Sequence, residues 1–313
     1  ARAKRRVCRR PARQPWPAAS ADALREDGVV LVPGVLVAAT AAALRGHLEA
    51  KLAASLAAVA AGKASESECF EPVTCRKERH FIQLDLEPPV VVAAVGEALR
   101  ALAPLLRAAF ACEEPLLAEL AAIRSAEGAP PQPVHMDDDR SPSGPPARLS
   151  AFVALQDVDE EMGPTLFLPG THASLQAQVA MQSPTQKAEL LRRGPVRLGT
   201  MPAGSCTLHD TGVLHAGGGN ASPRGRWLFH MTLVPAHLEL AAIEYYRPMC
   251  KLGVHALGEL ERGAIRSQDD EETKRLRAMW SALTEDEEVR RWREQRDMNL
   301  WWARLRCRIG CSL

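Results

Sequence analysis

Two short stretches carry side chains that could do chemistry together. In Gln132-Pro-Val-His135-Met-Asp137 an imidazole and a carboxylate stand two residues apart. On an extended strand such residues project to the same face. One imidazole and one carboxylate suit an Fe(II) ion, provided a third ligand arrives from the same side. Alone, the spacing has a bland reading as a solvated turn. The second stretch is His215-Ala-Gly-Gly-Gly-Asn220-Ala-Ser-Pro-Arg-Gly-Arg226. Here histidine closes one strand, glycine and asparagine turn the chain, and arginine opens the next strand. If those strands pair, imidazole and guanidinium face one cavity. That arrangement suits a chelating 2-oxo acid whose far carboxylate needs a permanently charged, bidentate partner. Its bland reading is a glycine loop with a surface arginine. Beyond the loop, Arg226, Leu228, His230 and Thr232 fall on one strand face, expected to line a partly polar cavity. Trp227, Phe229, Met231 and Leu233 fall on the other, expected to pack against helices. Rival ligands exist. Asp138 and Asp139 follow His135 without the two-residue spacing, and His209 and His230 bracket His215 without its eleven-residue step to an arginine. Asp210 reads as a residue that orients the adjoining loop.

The elements that must position these groups are legible in outline. Residues 21–27 predict a short helix broken by Gly28, and residues 29–32 a strand ended by Pro33-Gly34. Residues 38–61 and 90–111 predict helices, the second kinked at Pro104. Between them, residues 80–84 read as extended. From 116 to 235 the apolar runs are short and punctuated by Gly, Pro, Asn and Asp: 149–155, 165–168, 205–208 and 226–234. Such texture predicts a sandwich or barrel. From 238 onward the chain reads as helical and charged, with a capping box at Thr284-Glu285-Asp286-Glu287. Trp292, Trp301 and Trp302 are expected to anchor that segment. The expected organisation is a basic tail (1–20), a main domain (21–236) and a C-terminal helical extension packed on the core (237–313). The main domain divides into a helical part (21–115) and a β core (116–236).

Composition narrows the function classes. The chain has 313 residues, 46% apolar and 25% charged, with net charge +1. That is a globular balance with no global field to recruit nucleic acid or an anionic membrane. Aromatic residues make up 4%, too few for a base-stacking surface in the middle of the chain. Eight cysteines include no CxxC pair, so a structural zinc site is not expected and reduced thiols in an intracellular, cytoplasmic setting are. The Arg-rich, acid-free opening ARAKRRVCRRPAR reads as a mobile tail, with organelle targeting as the alternative. Charged residues interrupt every long apolar run, so no membrane span is expected. Oligomeric state leaves no signature.

Between the two chemical stretches lies Gly163-Pro-Thr-Leu-Phe-Leu-Pro-Gly-Thr-His172. The order HxD, then GPTLFLPGTH, then His followed by Arg resembles the phytanoyl-CoA dioxygenase family of iron/2-oxoglutarate oxygenases, over about residues 22–236. The resemblance implies a mainly β fold with flanking helices: a double-stranded β-helix, the jelly-roll or cupin-like core. It implies Fe(II), 2-oxoglutarate as co-substrate, O₂, and ascorbate as a reductant. His135, Asp137 and His215 match the family's metal ligands, and Arg226 the arginine that pairs with the 5-carboxylate of 2-oxoglutarate. Thr165 and Gln83 are expected to approach the co-substrate. His172 is expected to support the shell or the fold. In many relatives a hydroxyl residue two positions after the distal histidine assists the arginine; here Gly217 stands there, so the helper is sought in Ser222 or Thr232. The acid at position 137 argues against the related halogenases. The implied activity is hydroxylation of a C–H bond in a small organic substrate, coupled to decarboxylation of 2-oxoglutarate to succinate and CO₂. A catalytically silent jelly-roll binding protein, or an oxygenase acting on a protein side chain, are the rival readings. The fold does not select the substrate.

Overall fold

Local signals set the first helices of the chain. A computed structural model describes residues 13–137, 146–235, 255–257 and 260. Helix α1 (Ala21–Asp27) is capped by Ser20, whose Oγ accepts from Ala23 N, and stops at Gly28 in the left-handed region. Strand β1 (Val29–Val32) follows, then α2 (Ala38–Ala60), α3 (Glu66–Cys69) with a Ser65/Glu68 capping box, β2 (Arg79–Gln83) and α4 (Pro89–Phe110). Helix α4 begins on proline at its first turn, and Pro104 does not end it. It is long and apolar enough to cross a membrane by length and composition. However, Val91, Val95, Leu99, Leu102 and Leu106 are buried in the main core, so its apolar stripe is used inside the fold. Burial of each such side chain contributes roughly 1.5–3 kcal/mol before entropy is counted.

The β core follows: β3 (Leu116–Ser125), β4 (Leu149–Ala154), β5 (Thr165–Phe167), β6 (Arg197–Leu198), β7 (Cys206–Asp210), β8 (His215–Gly217), β9 (Arg226–Val234) and β10 (His255–Ala256). The larger sheet runs β1-β7-β4-β9-β3-β10, with β2 also on β3, and the smaller runs β6-β5-β8. Among the described residues all the strand pairs are antiparallel. This is the double-stranded β-helix with flanking helices. The outer face of the larger sheet, including Trp227, Phe229, Met231 and Leu233, joins α2 and α4 in the core. The inner face lines a cavity with Arg226, Leu228, His230 and Thr232, as the alternation of residue types in β9 predicts.

Three departures from the sequence reading have local causes. Helices α5 (Leu175–Ala180) and α6 (Pro184–Arg193) interrupt the stretch read as short strands. Their signals are N-caps at Ser174 and Ser183 and a proline opening α6. Strand β10 lies in the segment read as helical and adds two residues to β3. The thiols of Cys69, Cys112 and Cys206 are free. Asp138, Asp139, the Thr284–Glu287 capping box and Trp292, Trp301 and Trp302 lie outside the described residues.

Candidate metal centre and the pocket behind it

His215 opens β8, whereas His135 lies in no strand: the stretch expected to be extended forms a single isolated bridge, and backbone joins the two residues. His135 N donates to His215 O (2.9 Å) and His215 N to His135 O (2.8 Å), a two-bond bridge across the mouth of the barrel. Asp137 N donates to Thr211 O (2.9 Å), which fixes the carboxylate on the same side. One ligand atom from each of His135, Asp137 and His215 lies within 4.8 Å of the others. Both imidazole Nε2 atoms stand 3.6 Å from Asp137 oxygens.

The tautomers follow from the partners. Nδ1 of His135 lies 2.8 Å from Pro133 O, and Nδ1 of His215 lies 3.0 Å from Val213 O. A carbonyl only accepts, so each Nδ1 carries the hydrogen and each Nε2 presents its lone pair to the shared point. Burial, then the neighbouring His215, lowers the pKa of His135 and keeps it neutral. Burial alone would raise the Asp137 carboxyl, but His215, His135, His209 and His230 outweigh it and hold it below its usual range. Two imidazoles and a carboxylate form the donor set of a mononuclear iron site with positions left open. His209 is fully buried, its ring 5.1 Å from that of His215, with neither nitrogen hydrogen-bonded. It backs the ligand ring and is no part of the triad.

Arg226 stands one step behind this point. Gly217 pairs with Thr165 as His215 pairs with Phe167. A β-carbon at Gly217 would sit 3.4 Å from Arg226 Nη2. The guanidinium is therefore about two strand residues, roughly 6.6 Å, from the level of the metal ligand. That is the reach of a five-carbon diacid. Arg226 Nη2 donates to Ser125 Oγ (3.2 Å), while Nε and Nη1 are buried without partners. Burial, then Arg79, lowers its pKa to about 9. Arg79 donates through Nε to the same Ser125 Oγ (3.2 Å) and through its other nitrogens to the Cys75 and Pro130 carbonyls, each at 2.9 Å. Two guanidinium groups thus share one hydroxyl. The unsatisfied N–H groups of a buried cation mark a place for an anion, and the residues present fit both iron and a dicarboxylate.

The other expected residues divide. Thr165 lines the cavity at the Gly217 level, beside the arginine. Ser222 does not reach it: its Oγ accepts from Arg224 N (3.2 Å) and closes the turn that Asn220 holds. Thr232 lines the cavity but is six residues along β9 from Arg226, roughly 20 Å, where it donates to Glu119. Gln83 lies opposite Ala121, level with His230 rather than Arg226. The hydroxyl bonded to Arg226 is that of Ser125, and the volume a side chain at 217 would fill holds Gln132. Its Oε1 accepts from Gly217 N (2.9 Å) and its Nε2 donates to Thr74 O (3.1 Å). His172 is buried against Arg25 O and Gly28, on the helical side. Asp210 Oδ1 accepts from Gly212 N (2.8 Å) and orients the turn before His215. The two glycine motifs meet directly: a β-carbon at Gly163 would lie 2.2 Å from Gly219 O, so the backbones of the two loops touch.

Fold and site together define a jelly-roll protein of the kind that holds one metal in a 2-His-1-carboxylate face. The model of the Phytanoyl-CoA dioxygenase (PhyH) family matches residues 24–227, and the chain belongs to that family of Fe(II)/2-oxoglutarate-dependent oxygenases. Dioxygenase trt7 of Aspergillus terreus (strain NIH 2624 / FGSC A1156) is 33% identical over 115 residues, 34% of this chain and 37% of that one. The chain therefore spans little more than a third of that curated relative. Among solved structures, the non-heme alpha ketoglutarate dependent epimerase SnoN from nogalamycin biosynthesis matches at 23% identity. Its TM-score is 0.51, covering 69% of this chain and 82% of its own. The non-heme monooxygenase ThoJ, in a nickel complex, matches at 19% identity and TM-score 0.50, covering 87% and 98%. These likenesses speak to the fold.

Proposed function

We propose that the chain hydroxylates a C–H bond of a small organic molecule, with 2-oxoglutarate and O₂ as co-substrates and ascorbate able to keep the metal reduced. The observation that carries this reading is one juxtaposition: three ligand atoms within 4.8 Å of one another, with a buried arginine bearing unsatisfied N–H groups two strand residues behind. His135, Asp137 and His215 would hold Fe(II). Bound there with 2-oxoglutarate, the metal supplies the oxidising power that yields succinate and CO₂ and places oxygen on the substrate.

The protein's part is to bind, orient and exclude. Backbone carbonyls lock both imidazoles with Nε2 facing the metal point, and the surrounding histidines keep Asp137 ionised. Arg226, steadied by Ser125, would take the far carboxylate of 2-oxoglutarate, with Arg79 adding positive charge and Thr165 a hydroxyl nearby. Phe152 and Phe167, packed against His209 at 4.9 and 5.1 Å, shield the ligand side from water. The cavity, about 450 Å³, suits a small molecule rather than a folded protein surface. The free thiols accord with a reducing, intracellular setting.

An anaerobic titration with Fe(II) and 2-oxoglutarate tests the reading. A charge-transfer absorbance is expected from the wild type and not from Asp137→Ala. Its absence from the wild type would favour a silent binding protein.

A further inference from the structure

Away from Arg226 the cavity ends against side chains that neither metal nor co-substrate accounts for. Gln83 on β2 and His230 on β9 flank Ala121 of β3 in one row, and Glu119 pairs with Thr232 in the next. All but Ala121 line the cavity. Their hydrogens can be assigned from their partners. Thr232 has a single hydroxyl hydrogen, and Glu119 Oε2 lies 2.8 Å away as an acceptor. That hydrogen therefore goes to the carboxylate. His230 Nε2, 3.2 Å from the same hydroxyl, must then donate to it. In the neutral imidazole this fixes the tautomer, with Nδ1 as the acceptor.

The Gln83 amide is fixed in the same way. Its Nε2 faces Glu119 Oε1 at 3.5 Å, since the reverse orientation would set two oxygens against each other. Gln83 Oε1 is left buried with no hydrogen bond, and so is His230 Nδ1. His230 is 7% exposed, and the nearest Glu119 oxygen is 3.9 Å from Nδ1, beyond hydrogen-bonding range. Two buried acceptors beside a carboxylate thus look onto the cavity without a donor. The next row toward Arg226 is apolar, with Ile123 opposite Leu228. Phe81 and Phe152 meet the His230 ring edge-on at 5.7 and 5.0 Å. From His230 the rings run through Phe152 and His209 to the metal ligand His215, at centroid steps of 5.0, 4.9 and 5.1 Å.

We infer that this wall recognises a hydrogen-bond donor, an alcohol O–H or an amine N–H, on an otherwise apolar substrate, and thereby sets which C–H bond faces the metal. The second clause rests on the oxygenase reading; the first does not. An unsatisfied buried acceptor is relieved by a donor and by nothing else, so a ligand lacking one leaves the wall's desolvation uncompensated.

Matched ligands separate the possibilities. Decahydro-2-naphthol, the corresponding amine and the corresponding ketone share one apolar body, and only the ketone lacks a donor. Binding is measured by calorimetry under nitrogen, on the full chain with Fe(II) and 2-oxoglutarate. The alcohol or amine is expected to bind at least about tenfold more tightly than the ketone, the value of one hydrogen bond to a buried acceptor. Gln83→Met keeps the side-chain length and removes the acceptor. His230→Phe keeps the ring between Phe81 and Phe152. Either variant should bring the preference to within about twofold while 2-oxoglutarate affinity stays unchanged. Should His230→Phe not fold, Gln83→Met carries the test. Equal binding of alcohol, amine and ketone by the wild type overturns the inference, as does failure of every donor ligand to bind at millimolar concentration, or a preference that survives both substitutions. Loss of the charge-transfer band alongside a clear donor preference would remove the oxygenase reading and leave the donor site standing.

Discussion

Gly217→Ser places a hydroxyl two residues after His215, where the family resemblance leads one to expect it, and in this chain it should do harm. A β-carbon at 217 falls 2.5 Å from Gln132 Oε1. Ordinary contact begins near 3.4 Å, so the amide must retreat by about 0.9 Å. Its bond from Gly217 N starts at 2.9 Å, and such a retreat takes it beyond hydrogen-bonding range. The bond to Thr74 O, at 3.1 Å, is strained with it. An orphaned N–H beside Arg226 costs about 1–3 kcal/mol. If this falls on the binding-competent form, 2-oxoglutarate affinity should drop by roughly tenfold or more. Gln132→Ala removes the same acceptor outright, so the double variant should lose no more than either single variant, and this non-additivity should appear as a coupling energy of about 1–2 kcal/mol. The assay is an anaerobic titration of the Fe(II) protein with 2-oxoglutarate for all four members of the cycle. Wild-type affinity in Gly217→Ser, or losses that simply add in the double variant, would refute the packing argument.

Three further outcomes are expected. Arg226→Met should weaken 2-oxoglutarate by about a hundredfold or more, yet leave the melting temperature equal or higher, because an unpaired buried cation is removed; calorimetry and thermal melts check both halves. Asp137→Ala should abolish metal binding and succinate release while the circular dichroism of the folded chain is retained, since Asp137 belongs to no core cluster. His135 and His209 have folded pKa values below the ordinary 6.5, both chiefly through burial. As pH falls below 6.5 the unfolded chain takes up protons that the folded one resists, so stability present above that pH is lost on acidification, by up to about 1.4 kcal/mol per pH unit per histidine. Melting temperatures of the metal-free protein from pH 7 to 5 should show this slope, and His209→Phe should flatten it.

The parts of the site legible in the sequence were those whose geometry is local. His135 and Asp137 stand two residues apart and converge as read, although through an isolated bridge and a bend rather than a strand, and the alternation in β9 separates a cavity face from a core face. Arg79 and Ser125 were not legible. They meet Arg226 only because β3 pairs with both β2 and β9, with Arg79 opposite Ser125 and Ser125 opposite Arg226. Gln132 was in view, three residues before His135, but its role depends on the missing side chain at 217. Ser222 and Thr232 were plausible helpers by type; the turn claims one, and six residues of strand remove the other. Helices α5 and α6 were missed because the glycine- and proline-rich texture around them outweighed two serine caps.

The paired backbone bonds between His135 and His215 have a consequence for how a metal comes and goes. Because the chain itself holds the two rings side by side, with each ring's tautomer set by the carbonyl two residues before it, the ion has almost no ordering left to do when it arrives. The chelate is preorganised, and release should cost the fold little. Such a protein can exchange its metal reversibly and wait, folded, for the next one.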